Sequence, residues 1–258
     1  MERMMLIDFT GKKVLIVGAA FEIGQGIATA FAESGASVYA CDLLADEVKK
    51  IEGPCGKGTI ATGRCDVTSE DSVRETVRAA AGRAGTIDVL VYVAGGVAGQ
   101  VKTPIEDVTL EQWKIVLDIN VTGVFLFAKH LVPVMKKQGG GRMVTISSRA
   151  GLATSLTGVQ AYCAAKHAQN GLVMQLGQDL APFNITVNAV APGFLRSSPA
   201  TRKQWDGYTP EFQAAFTSRL VGGRIGLPSD IASAVMFLAS DQAEWISGQI
   251  LPVMGGPL

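Results

Sequence analysis

Metal ligands are scarce in this chain. It holds two histidines and four cysteines in 258 residues, and Cys41, Cys55, Cys65 and Cys163 stand apart without a paired spacing. A zinc site needs several Cys or His ligands held close together, so no metal is expected. Scattered thiols with no disulfide framework fit a reducing compartment. An excess of one charge is also missing, since 23 Lys plus Arg balance 23 Asp plus Glu. That balance gives no reason to expect nucleic acid or an anionic membrane as a partner. Residues 1–9 lack the apolar run and small-residue cleavage site of a secretion signal. No uninterrupted apolar stretch approaches the ~20 residues that span a bilayer. The expectation is a cytoplasmic protein with no membrane and no nucleic-acid partner. Internal repeats, low-complexity tracts and Pro/Gly-rich linkers are absent too.

What the chain does have is apolar substance, with 48% hydrophobic and 18% charged residues. That is enough for one large core, and residues 1–258 read as a single domain. Short apolar runs alternate with amphipathic stretches. Residues 13–17, 37–41, 59–65, 88–93, 142–147, 185–190 and 249–253 read as strands. Residues 23–34, 44–51, 69–83, 110–137, 160–181 and 228–239 read as helices. Strands without polar alternation belong to a parallel sheet covered on both faces. The pattern predicts an α/β fold, a Rossmann-type doubly wound parallel sheet with helices on both faces. Residues 193–227 read as an irregular, polar stretch. Long loops at strand C-termini are where such sheets hold ligands.

The first strand runs into Gly18-Ala19-Ala20-Phe21-Glu22-Ile23-Gly24 and then a helix. Glycines in such a turn let backbone approach a pyrophosphate at the helix N-terminus. Asp42 ends the second strand, where a carboxylate can hold an adenosine ribose, or merely close a turn. Asp66, beside Val67, can reach an adenine or serve only as a cap neighbour. In Tyr162-Cys163-Ala164-Ala165-Lys166 a phenol and an ammonium share one helix face. Such a pair is often only a solvated surface. Here it accompanies Asn120 in the preceding long helix, Ser147-Ser148 after the fifth strand, and Pro192-Gly193 after the sixth.

Taken together, these motifs resemble the short-chain dehydrogenase/reductase superfamily, in its main branch of about 250 residues. The C-terminal run Gly223-Arg224-Ile225-Gly226-Leu227-Pro228-Ser229-Asp230 and the later Ser247-Gly248-Gln249 extend the resemblance over the whole chain. It implies a catalytic set of Asn120, Ser148, Tyr162 and Lys166. Ser148 is preferred to Ser147 because Arg149-Ala150-Gly151 follows it. The cofactor implied is NAD, held by Gly18, Phe21, Glu22, Ile23, Gly24, Asp42, Asp66, Val67, Ala94, Gly95, Tyr162, Lys166, Pro192, Gly193 and Ser197. The implied chemistry is hydride transfer between a nicotinamide and a secondary alcohol or its carbonyl, with Tyr162 as acid/base. A homotetramer paired through the two long helices is implied as well. The four-residue Tyr–Lys spacing separates the chain from divergent enoyl reductases, which space these residues by seven.

The chain departs from the family in three places. Glu22 stands where the middle glycine of the turn is usual. Tyr92-Val93-Ala94-Gly95 replaces the usual Asn-Asn-Ala-Gly, and Met254 replaces an aspartate. The substrate is expected beneath residues 194–222, with Ser148 and Tyr162 on its reacting oxygen. Arg149 and Arg196 are candidates for an anionic substituent, because Arg binds oxyanions bidentately. A small polar alcohol, sugar or polyol suits so polar a loop. Rival expectations are a 3-ketoacyl-thioester reductase, against which Asp42 counts, and a non-catalytic dinucleotide-binding protein.

Overall fold

The computed structural model describes residues 7–256; residues 1–6 of the N-terminal stretch considered above lie outside the described residues. The elements in chain order are β1 (Lys13–Val17), α1 (Glu22–Glu33), β2 (Ser37–Asp42), α2 (Ala45–Lys49), β3 (Gly53–Cys55), β4 (Gly58–Arg64), α3 (Glu70–Ala81) and β5 (Val89–Tyr92). There follow α4 (Leu110–Leu117), a π-turn (Asp118–Thr122), α5 (Gly123–Gln138), β6 (Gly141–Ile146), α6 (Gln160–Leu180), β7 (Ile185–Pro192), α7 (Pro199–Asp206), α8 (Pro210–Thr217), α9 (Pro228–Ala239) and β8 (Ile250–Val253).

One sheet of eight strands runs in the order β3-β4-β2-β1-β5-β6-β7-β8. Every pairing is parallel except β3 with β4. Successive side chains of a strand face opposite sides, and β1 shows the result. Val14 and Ile16 enter a core with Phe31 of α1 and Val235 of α9. Leu15 and Val17 enter another with Val77 of α3, Phe127 of α5 and Val173 of α6. The strand order reverses between β1 and β5. At that switch point the connections diverge and leave a crevice at the strand C-termini, which is where such sheets bind ligands.

Three sequence expectations need correction. The hairpin partner β3 was not expected; it is three residues long and has no periodicity to read. The stretch 193–227 is not irregular, since it forms α7 and α8. Ser198 and Thr209 cap these helices, each followed by a proline at the first helical position. Trp205 is buried and the aromatic rings of this region pack on one another: Phe194 lies 5.4 Å from Trp205 and 6.1 Å from Phe216, and Tyr208 lies 4.5 Å from Phe212, which is itself exposed. The long helix, finally, is broken by the π-turn. Leu110–Gln138 is long enough to cross a membrane, and an 18-residue window of it is apolar enough, with a mean hydropathy of 1.6. Its Val116, Phe127, Leu131 and Met135 are fully buried in the protein.

Candidate active site

The crevice is a cleft of about 570 Å³ running from Asp42 and Leu43 at one end to Tyr162 and Phe194 at the other. Its floor is the turn after β1. Gly18 has φ 94°, a region that disfavours side chains, and a Cβ there would lie 2.6 Å from the Ala94 Cα. A Cβ on Gly24 would overlap the Gly18 carbonyl and lie 2.7 Å from the Ala19 Cα. The backbone is therefore bare where a pyrophosphate would lie, and α1 starts just beyond it. Asp42 accepts from the Ala20 and Leu44 amides at 3.0 and 3.1 Å, which ties the end of β2 to this turn. Asp66 accepts from the Thr68 hydroxyl and amide, and these bonds hold its carboxyl below the usual range.

Gly18, Phe21, Ile23, Gly24, Asp42, Asp66, Val67, Ala94, Gly95, Tyr162, Lys166, Pro192, Gly193 and Ser197 all line this one cleft. Glu22 does not line it. Its carboxylate turns away and pairs with Arg202 of α7, so it does not face a pyrophosphate.

At the other end, α6 carries Tyr162 and Lys166 one turn apart. Burial pushes the Tyr162 phenol up, and the Ser148 hydroxyl beside it pulls it back. Ser148 also accepts from the Ala150 amide at 3.1 Å. Ser147 is committed elsewhere, donating to Asn170 at 2.6 Å. Burial brings Lys166 down to about 7. Asn120 lies behind the cleft wall at the π-turn. It accepts from the Gly96 amide at 3.0 Å and donates to the carbonyls of Gly96 and Val116 at 2.8 Å. A π-turn frees helix carbonyls from their usual partners, and here side chains take them up. Asn120 satisfies Val116, while the Tyr92 hydroxyl donates to the Ile119 carbonyl at 2.7 Å.

Arg149 lines the cleft, with one donor on the Thr154 carbonyl at 2.7 Å. Arg196 does not line it and pairs with Asp206 at 2.9 Å. Its assignment to the substrate pocket is corrected on that ground. The apolar lining contributed by Ile115, Ile119, Leu156, Phe194 and Leu195 was not foreseen. Nor were Asn170, which also donates to the Gly151 carbonyl, and Gln169, which bonds to Lys166. The signal was two polar residues one turn after Lys166, on a helix face that buries Ala165 and Val173.

A parallel sheet with a dinucleotide cleft at its switch point and a Ser, Tyr and Lys at one end defines a class of hydride-transfer enzymes. Residues 18–257 match a family model described as enoyl-(acyl carrier protein) reductase. A 3-oxoacyl-(acyl-carrier-protein) reductase of Thermotoga maritima is 36% identical over 95% of this chain and 97% of its own length. A 7alpha-hydroxysteroid dehydrogenase of Escherichia coli is 35% identical over 95% and 94%. A solved 7 alpha-hydroxysteroid dehydrogenase complexed with NADH and 7-oxo glycochenodeoxycholic acid superposes with TM-score 0.86 at 34% identity, covering 98% of this chain and 96% of that one. The chain belongs to the short-chain dehydrogenase/reductase superfamily. It is an oxidoreductase acting on CH–OH groups.

Proposed function

We propose that this protein is an NAD-dependent dehydrogenase of a secondary alcohol. Its substrate is compact and largely apolar, and carries a polar or anionic substituent met by Arg149. The observation that carries the reaction is the meeting of Ser148, Tyr162 and Lys166 at one end of a dinucleotide cleft. Bound NAD supplies the hydride acceptor. Tyr162 removes the hydroxyl proton, and returns one to the alkoxide in the reverse direction. A phenol is a weak base at neutral pH, and the adjacent Lys166 ammonium favours its phenolate. Ser148 hydrogen-bonds the reacting oxygen and fixes its position. The role the family resemblance assigns to Asn120 is to anchor a water between Lys166 and solvent.

The substrate assignment moves away from the sugar or polyol that the loop composition suggests, because Ile115, Ile119, Leu156, Phe194 and Leu195 give the cleft an apolar lining. A second reading, reduction of a 3-ketoacyl thioester, is favoured by the Thermotoga relative. Asp42 opposes it by opposing NADPH. A 2′-phosphate brings like charge to this carboxylate, and two unit charges ~4 Å apart cost up to ~4 kcal/mol at an effective dielectric of 20. Support for a homotetramer comes from Phe125 and Met174, exposed on α5 and α6, and from Trp245, 97% exposed before β8. Action in the cytoplasm fits the scattered thiols, and the even charge balance gives no reason to add nucleic acid or an anionic membrane as a partner.

The test is a kinetic screen of cyclic and acyclic secondary alcohols, each paired with its carboxylate analogue, with both cofactors. NAD should exceed NADP at least ~10-fold in kcat/KM. The acidic partner should be preferred, and that preference should be lost in Arg149→Ala. Equal use of both cofactors would refute the assignment of Asp42. Light scattering at micromolar concentration should report four chains.

A further inference from the structure

Lys166 works in unusual surroundings for an ammonium. It is 2% exposed, and burial is the cause that brings its pKa to about 7. An ammonium has three donors. One goes to the Ile146 carbonyl at 2.8 Å and another to the Gln169 Oε1 at 2.9 Å. The Ile146 carbonyl is backbone and would be present with any side chain. The second acceptor exists only because residue 169 is a glutamine.

Gln169 is an expensive way to fill that position. It is fully buried on α6, between Ala165 and Val173 on the face that packs inward. A buried carboxamide is costly unless its groups are bonded. Its Oε1 has Lys166, but its Nε2 has no partner among the described residues. An apolar side chain would avoid the orphaned amide. What glutamine adds is an oxygen on the catalytic ammonium.

We propose that Gln169 is a positioning residue for the reaction: its side-chain oxygen holds the Lys166 Nζ at the end of β6 and favours the charged form. The third ammonium donor is then left for the nicotinamide ribose. This rests on the reading of Tyr162 and Lys166 as the acid/base pair. The titratable neighbour is Tyr162 on α6 itself, with its ring centre 5.8 Å from Nζ. The π-turn presents neutral Asn120 and the end of β6 presents Ser148. Gly95 brings backbone so close that a Cβ there would lie 3.2 Å from Nζ. The charge at that end of the cleft is Arg149. Losing the Gln169 oxygen should therefore be felt directly by Lys166.

The experiment is a pH titration of Lys166 in the full-length protein by NMR of ¹³Cε-labelled lysine, with the resonance assigned through Lys166→Arg. Gln169→Met removes the oxygen and keeps the length; Gln169→Asn keeps the amide and cannot reach. A hydrogen bond to a charged group sets the expected effect, a midpoint lower than the parent's by about one to two pH units in both variants. Thermal melts report whether each is folded, and the one that folds decides if the other does not. A lower Lys166 midpoint leaves less ammonium to favour the Tyr162 phenolate, so the pH profile of alcohol oxidation should move the opposite way, to higher pH, with NADH binding by fluorescence within a few-fold of the parent. Midpoints equal to the parent's would overturn the proposal and leave Gln169 a packing residue. The titration needs no substrate. A failed alcohol screen would thus count against the substrate reading and leave this result standing.

Discussion

Tyr92 and Gly123 should be energetically coupled, and a double-mutant cycle can measure it. Tyr92 stands where an asparagine is usual, fully buried at the end of β5 and edge-on to Phe127 at 5.8 Å. Its hydroxyl bonds the Ile119 carbonyl in the π-turn. Gly123, at the start of α5, lies against it: a Cβ there would overlap that hydroxyl and lie 3.2 Å from both the ring Cζ and the Val67 Cβ. Tyr92→Phe keeps the ring and strips the carbonyl of its partner, a loss of about 1–3 kcal/mol. Gly123→Ala gains about 1 kcal/mol of helix propensity. Against the hydroxyl it should nevertheless lose about 1–3 kcal/mol through overpacking. Once the oxygen is gone, the remaining 3.2 Å contacts need only a small adjustment. The double variant should therefore be more stable than the two single effects sum to, by about 1–2 kcal/mol, within the range seen for residues in contact. Thermal melts at fixed protein concentration should resolve this, because 1 kcal/mol moves Tm by about 2–4 °C in a chain of this size. Additivity within about 0.5 kcal/mol would show that the hydroxyl and the glycine do not share that space.

Tyr162→Phe should lower turnover by at least ~10² while NADH still binds by fluorescence titration; activity within a few-fold of the parent would remove Tyr162 from the mechanism. Lys166 titrates near 7 in the folded chain against 10.5 for a free lysine. Between these values the unfolded chain holds a proton that the folded one lacks, so the Lys166 contribution to stability rises with pH, by up to about 1.4 kcal/mol per unit. Lys166→Met lacks this slope, and the parent's stability relative to it should grow from pH 7 to 9 in urea unfolding. A pH-independent difference would contradict the burial of the ammonium.

Much of this architecture could be read from sequence because burial writes itself into strands. β5 is apolar throughout, β1 is apolar after Lys13, and β7 is buried at every residue, and only a sheet covered on both sides asks for that. Tyr162 and Lys166 were legible because one helix fixes their relation. Less could be seen where relations span the chain. The pairing of Glu22 with Arg202, which turns a misplaced carboxylate outward, joins residues far apart in sequence. Arg196 looked available for an anion only while Asp206 was not known to hold it. The polarity of residues 193–227 misled for a physical reason: the two helices carry exposed charges and also a packed aromatic cluster around buried Trp205, and composition averages the two. Ser198-Pro199 and Thr209-Pro210 were the overlooked marks of those helix starts.

The π-turn also makes helix length a functional variable. Such a turn contains one residue more than regular helical winding needs. A single deletion within Asp118–Thr122 would let the ladder close through, with Val116 before it and Phe127 after it still facing inward. Elsewhere in α5 or α6 the same deletion would rotate every following residue by ~100° and empty the core. The shortened chain would keep its fold and lose the offset that brings Asn120 to Gly96. At this one point the chain is longer than its architecture requires, and the surplus residue is what ties the helix to the loop after β5.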